Sequence, residues 1–159
     1  MKRNIYLDFT YLALLAASFG AVLVLGALVA PVIFNTDKIT VDLLINHYNA
    51  GIIMAEIFFR FSYWLYFVTI AVVLYESMQY KSGQRDAVAF ASAVIVIFTS
   101  LMFSSVYAPK ILAMQALGAE ATQSDTFDSL HLASEIDFKV LALALIILFV
   151  RRLMLLRIS

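Results

Sequence analysis

The chain has no cysteine, only two prolines and five glycines, and little charge of either sign. Without cysteine it can form no disulfide, no thiolate metal site and no thiol nucleophile. Acidic and basic residues number 11 each, so the formal net charge is zero. No long run of lysine and arginine is present, which removes the electrostatic footprint of a nucleic-acid binder. Charged residues make up 14% of the chain, against about a quarter in a soluble domain. The remainder is apolar: 64% of the 159 residues are hydrophobic, and the mean hydropathy is +0.94. This composition indicates an integral membrane protein with the lipid bilayer as its first partner.

A spanning helix needs about 20 largely apolar residues. Four stretches qualify, at about residues 10–34, 50–75, 87–107 and 132–153. They use nearly all of the chain, so residues 1–159 read as one all-α domain, a bundle of four transmembrane helices. The first stretch is too long for a signal-peptide core and reads as a retained helix. Lys2, Arg3, Lys81, Arg85, Arg151, Arg152 and Arg157 fall on one side, and only Lys38 and Lys110 on the other. The positive-inside rule then places both termini in the cytoplasm and loops 35–49 and 108–131 outside a cytoplasmic (inner) membrane.

Two segments repeat a pattern. "VAPVIF", a polar loop and "NHYNAGIIMAEIFFR" are echoed by "YAPKIL", a polar loop and "DSLHLASEIDFK". Pro31 precedes Glu56 by 25 residues, and Pro109 precedes Glu135 by 26. Because both hairpins leave and return on one face, the pattern predicts tandem hairpins related by a pseudo-two-fold along the membrane normal. A proline cannot continue a helical hydrogen-bond ladder, so Pro31 and Pro109 are expected to stop their helices. In the first span Ala13, Ala16, Ala17, Gly20, Gly26, Ala27 and Ala30 are small, which suits close helix packing in lipid.

Charge inside the apolar runs is the feature most in need of explanation. Glu56 and Arg60 lie four residues apart on one helix face, as do Glu135 and Lys139. The uncharged part of the fourth span, "VLALALIILFV", reaches only about 16 Å as a helix, so Asp137 and Lys139 are expected below the membrane surface while Arg151 and Arg152 snorkel at the other end. Intramembrane charges normally face a bundle interior or a watery cavity. Glu56, Arg60, Glu135, Asp137 and Lys139 are therefore the candidate lining of a polar, ion-binding cavity, with two self-neutralising structural pairs as the plainer alternative.

At the outer mouth stand the two histidines. Asp125, Asp128, His131 and Glu135 trace one helical stripe, and His47, with Asp42 nearby, approaches from the other hairpin. Imidazole and carboxylate suit a divalent metal, so His47, Asp128, His131 and Glu135 are the candidate ligands, with Met54 and Met114 available to copper. A bis-histidine haem is a further alternative. Ordinary N-caps and first-turn acids account for the same residues without a ligand. Residues 111–126 read as a short interfacial helix and a turn. No serine stands beside a plausible base, which argues against an enzyme.

"LVAPVIF", "AGIIMAEIFF", "YAP" and "FDSLHLASEIDFK" together resemble a bacterial membrane family with a domain of unknown function, a domain also found in eukaryotic transmembrane protein 205. The resemblance implies a four-helix membrane protein and supplies no reaction, substrate or catalytic residue. Three functions stay open: transport or binding of an ion, proton or metal ion; a structural or assembly subunit, as a homo-oligomer or in a larger membrane complex; and a haem-bearing redox protein.

Overall fold

The computed structural model describes residues 5–40 and 45–158, with the backbone alone for Arg157 and Ile158, and all regular structure among them is helical. Lys2, Arg3 and Asp42 lie outside the described residues. Four long helices form an up-and-down bundle: α1 (Ile5–Phe34), α2 (His47–Lys81), α3 (Ala87–Ala116) and α4 (Asp125–Ile158). The first three are long and apolar enough to cross a bilayer. The 34-residue α4 reaches about 51 Å, yet acids near its start and arginines near its end interrupt its apolar run.

Local chemistry sets the helix ends. Asn46 caps α2 by accepting the Asn49 N–H at 2.8 Å, and Asp86 caps α3 by accepting the Ala89 N–H at 2.9 Å. Ser124 does the same for α4, accepting the Phe127 N–H at 3.2 Å. These oxygens satisfy N–H groups that have no partner within a first turn. Past the far ends of α2 and α3, Gly83 and Gly118 take φ of +88° and +106°, the left-handed conformation that lets a chain turn out of a helix.

The prolines do not stop their helices. Helix α1 runs on from Pro31 to Phe34, and α3 from Pro109 to Ala116. Immediately before each Ala-Pro the helix widens into a π-helical stretch, Val24–Val29 in α1 and Phe103–Tyr107 in α3. A proline ring strikes the carbonyl four residues back, and a wider turn at that point moves the carbonyl aside so that the helix continues. The α1–α2 and α3–α4 connections are correspondingly short. Residues 111–116 are the last turns of α3, not an interfacial helix, and α4 already begins at Asp125, so His131 lies within it rather than ahead of it.

Helix α4 lies between α1 and α3, and α2 closes the bundle mainly against α3. Each helix buries one stripe: Tyr11, Leu15, Ser18 and Val22 of α1; Leu65, Val68 and Val72 of α2; Ala89, Ala93 and Val96 of α3; Leu141, Leu145 and Leu148 of α4. These spacings of three and four residues are those of a helix face. In α1 the buried stripe is not the small one. Ala13, Ala16 and Ala17 face outward, and a Cβ at Gly20 would meet nothing within 4 Å. Larger side chains fill the α1 contacts, and the small residues further along, from Gly26 to Ala30, do something else.

A fork of hydrogen bonds ties α4 to the start of α3. Arg151 donates from Nε and Nη2 to the two carboxylate oxygens of Asp86, at 3.0 and 2.6 Å. The bonded guanidinium holds the Asp86 carboxyl down at about 2, against the opposing effect of burial. An unfolded aspartate titrates near ~3.9. With the folded value depressed, this contribution to stability is full above about pH 4 and is lost as pH falls through about 2. Thermal melts of the native chain and of Asp86→Asn, which keeps a capping side chain, are expected to differ at pH 6 and to converge near pH 2. A gap that is constant with pH would show that the carboxylate charge is not the stabilising element.

Candidate functional site

The half of the bundle that holds the α1–α2 and α3–α4 connections does not close. Between α1, α2, α3 and α4 lies a cavity of about 810 Å³, within the range of small-molecule sites. Its walls derive from the sequence of α1. Past the π-helical start, Gly26, Ala27 and Ala30 present almost no side chain, so the opposite helices are held apart without being filled in. At the floor, Phe138 of α4 packs against Phe58 of α2 and Phe103 of α3, with ring centroids 5.2 and 4.9 Å away. Below this aromatic floor come Leu65, Val68, Val96, Leu141 and Leu145, all fully buried.

The mouth is polar. His47, Asp128, His131, Glu135 and Lys139 all line it. Glu135 accepts from Lys139 Nζ at 3.2 Å and lies 3.6 Å from His131 Nδ1. His47 packs beside Phe34, and His131 beside Phe127. The four candidate metal ligands thus reach one cavity, but they stand around its rim. Among the described residues no three His, Asp or Glu side chains gather into a group that could hold a metal ion. A metal needs its donors within about 2–2.5 Å of one point, and a wide mouth spreads them apart. Met54 lines the cavity and Met114 does not.

The remaining charged candidates part company with the cavity. Glu56 and Arg60 form their expected pair, Arg60 Nε donating to Glu56 Oε1 at 2.7 Å, but on the outer surface of α2, where the Arg60 side chain is 77% exposed. Asp137 points into a separate shallow groove between α3 and α4, beside Thr99 and Tyr107, and its Oδ2 is buried without a hydrogen-bond partner. Spacing alone places two residues on one face. It does not say which way that face points, and α2 turns its Glu56 face away from the other helices.

One cavity residue carries no signal in the sequence. Gln115, in the last turn of α3, is 6% exposed, and its Oε1 has no hydrogen-bond partner. It lines the cavity near Gly51, where a Cβ would come within 3.2 Å of its Nε2. Tyr48 locks the same turn by donating to the Gln115 carbonyl at 2.7 Å. A buried amide oxygen with no partner is an acceptor held ready for a donor.

At the opposite end of the bundle lies a second polar cluster. Arg152 is 4% exposed and pairs with Glu76 through Nε, at 2.9 Å, and Nη2. It is therefore a buried ion-pair partner and does not snorkel. Tyr11 donates to the same carboxylate at 3.0 Å, and Tyr75 donates to Asp8, itself 3% exposed, at 2.7 Å. The two tyrosine rings stack with centroids 3.7 Å apart, and Gln79 donates to the Tyr75 hydroxyl at 2.6 Å. The cluster joins α1, α2 and α4 where the cavity has no reach, and it serves as a polar clasp.

A family model described as a domain of unknown function, DUF4149, matches residues 13–120. The match takes in most of α1, all of α2 and α3, and the first half of the connection before α4. No curated protein and no solved structure matches the chain.

Proposed function

The chain belongs to the DUF4149 family, and from that premise we propose that its outer cavity binds an amphiphilic small molecule, with an apolar body on the aromatic floor and a hydrogen-bond-donating head at Gln115 and the charged mouth. The unpartnered Gln115 Oε1 in a cavity with an apolar body and a charged mouth carries this reading. A hydroxyl or amine at that level would satisfy it. Asp128 and Glu135, offset among the described lining residues by the one lysine Lys139, favour a neutral or cationic head over an anionic one.

Binding fits better than conduction. An ion path needs polar groups through the bilayer, whereas the packed layer beneath Phe138 is mostly apolar, with Leu65, Val68, Val96, Leu141 and Leu145 fully buried around the small hydroxyls of Ser18 and Ser100. Three further elements belong to the same proposal: α4 as a fourth span, both termini on the cytoplasmic side of an inner membrane, and the cavity opening outside. The matching π-helical stretches before Ala30-Pro31 and Ala108-Pro109 support the tandem-hairpin repeat. The shared short motifs support kinship with transmembrane protein 205.

The test uses the purified chain in lipid nanodiscs with an environment-sensitive fluorescent long-chain amine, and the matching long-chain carboxylate as comparison. Saturable binding of the amine is expected. Ala27→Phe with Ala30→Phe fills the cavity and should abolish it. Gln115→Leu should weaken it about tenfold, the loss of one buried hydrogen bond. The same Leu should leave the ligand-free protein as stable or more stable, since it removes an unsatisfied buried acceptor. Binding that survives the double phenylalanine variant would place the probe elsewhere and end the proposal.

A further inference from the structure

We propose that the outward face of α2 is the contact surface for a second copy of this chain, with Glu56 and Arg60 closing a charge quartet across a two-fold axis. The inference goes beyond the cavity reading and does not depend on it. Its starting point is a pair the cavity leaves unused. Glu135 and Lys139 line the cavity mouth, whereas Glu56 and Arg60 point away from every other helix. Within one copy their bonding is incomplete. Only Arg60 Nε and Glu56 Oε1 are engaged, which leaves both terminal amino groups of the guanidinium and one carboxylate oxygen to bond outward. An Arg60 side chain 77% exposed on a helix this apolar is costly unless something polar meets it.

The surface that continues from the pair is one stripe of α2. Tyr63, Phe67, Ile70 and Leu74 come next at steps of three and four residues and are 55% to 65% exposed. Two copies inserted in the same direction can share a closed two-fold only along the membrane normal, so their α2 helices would run parallel. Glu56 of each copy then lies four residues, about 6 Å, from the level of the other copy's Arg60. Long side chains cover that offset, and acid meets base on both sides of the axis. One i,i+4 acid–base pair is thus complementary to itself, which singles out a second copy over a partner that would have to supply the matching charges. The Tyr63 and Phe67 rings would pack beneath the quartet.

The absence of cysteine gives a clean test. Single variants Tyr63→Cys and Phe67→Cys are oxidised with copper-phenanthroline in membranes that hold the full chain, beside Ala17→Cys on α1, Phe98→Cys on α3 and Leu143→Cys on α4. A single cysteine has no partner within its own chain, so any disulfide reports contact with another molecule, and homodimer is expected at positions 63 and 67 and not at the other three. Arg60→Glu, introduced into Tyr63→Cys, should weaken dimerisation about tenfold through like-charge repulsion, and Glu56→Arg with Arg60→Glu should restore it. Dimer at position 17, 98 or 143 in place of 63 and 67 would overturn the proposal. So would no dimer at all, or cross-linking of position 63 to a different protein. If Arg60→Glu does not fold, the five cysteine positions in the otherwise native chain decide the question alone.

Discussion

Replacing Arg152 with leucine is expected to destabilise the chain by about 3–5 kcal/mol, because it strands Glu76 in a buried site. Glu76 would keep the Tyr11 hydroxyl as its donor but lose the double bond from the guanidinium. The stacked Tyr11 and Tyr75 rings would lose the cation that lies 5.7 Å from the Tyr75 centroid. The paired change Arg152→Leu with Glu76→Leu should be much milder than either single change, since it removes both charges together. Thermal unfolding of the three variants in one detergent checks this. Equal damage from the pair and from Arg152→Leu would mean that the side-chain volume of arginine, and not its charge, holds the clasp.

The second large effect belongs to Phe138→Ala. Its ring meets Phe58, Phe61 and Phe103 at centroid distances of 5.2, 6.2 and 4.9 Å. Loss of a buried phenyl costs about 3–5 kcal/mol through lost contacts and the void left behind. Lipid does not spare the protein this cost, since packing holds membrane helices together. The cavity floor would also drop by one ring, so a long-chain amine should gain affinity relative to a short-chain one. Thermal melts give the first result and chain-length competition the second. An unchanged chain-length preference would show that the apolar tail does not reach Phe138.

The helices themselves were legible in the sequence, since apolar runs and capping residues are local signals. The hidden features were non-local. Arg152 and Glu76 are 76 residues apart, and no spacing rule links them. Gln115 looks like any polar residue near a helix end until the packing around it is known. The Glu56–Arg60 pair was readable as a pair, but its outward direction depends on how α2 rotates against α3. The prolines misled for a different reason. A helix-stop rule holds for regular α-helix, and the wide turns ahead of Pro31 and Pro109 take both helices out of that rule.

Those wide turns make the cavity a matter of register. Beyond Val29, every residue of α1 sits where it does because the π-helical stretch carries extra chain per turn. Removing one residue from Val24–Val29 would take out that extra chain, restore a plain helix and bring a carbonyl back against the Pro31 ring. The helix would then kink or break at Pro31, carrying Ala30 and Phe34 off the cavity wall with no other side chain altered. At these positions the length of the chain is part of the site's specification, as binding as the identity of any residue in it, and a one-residue deletion is a larger change than most substitutions.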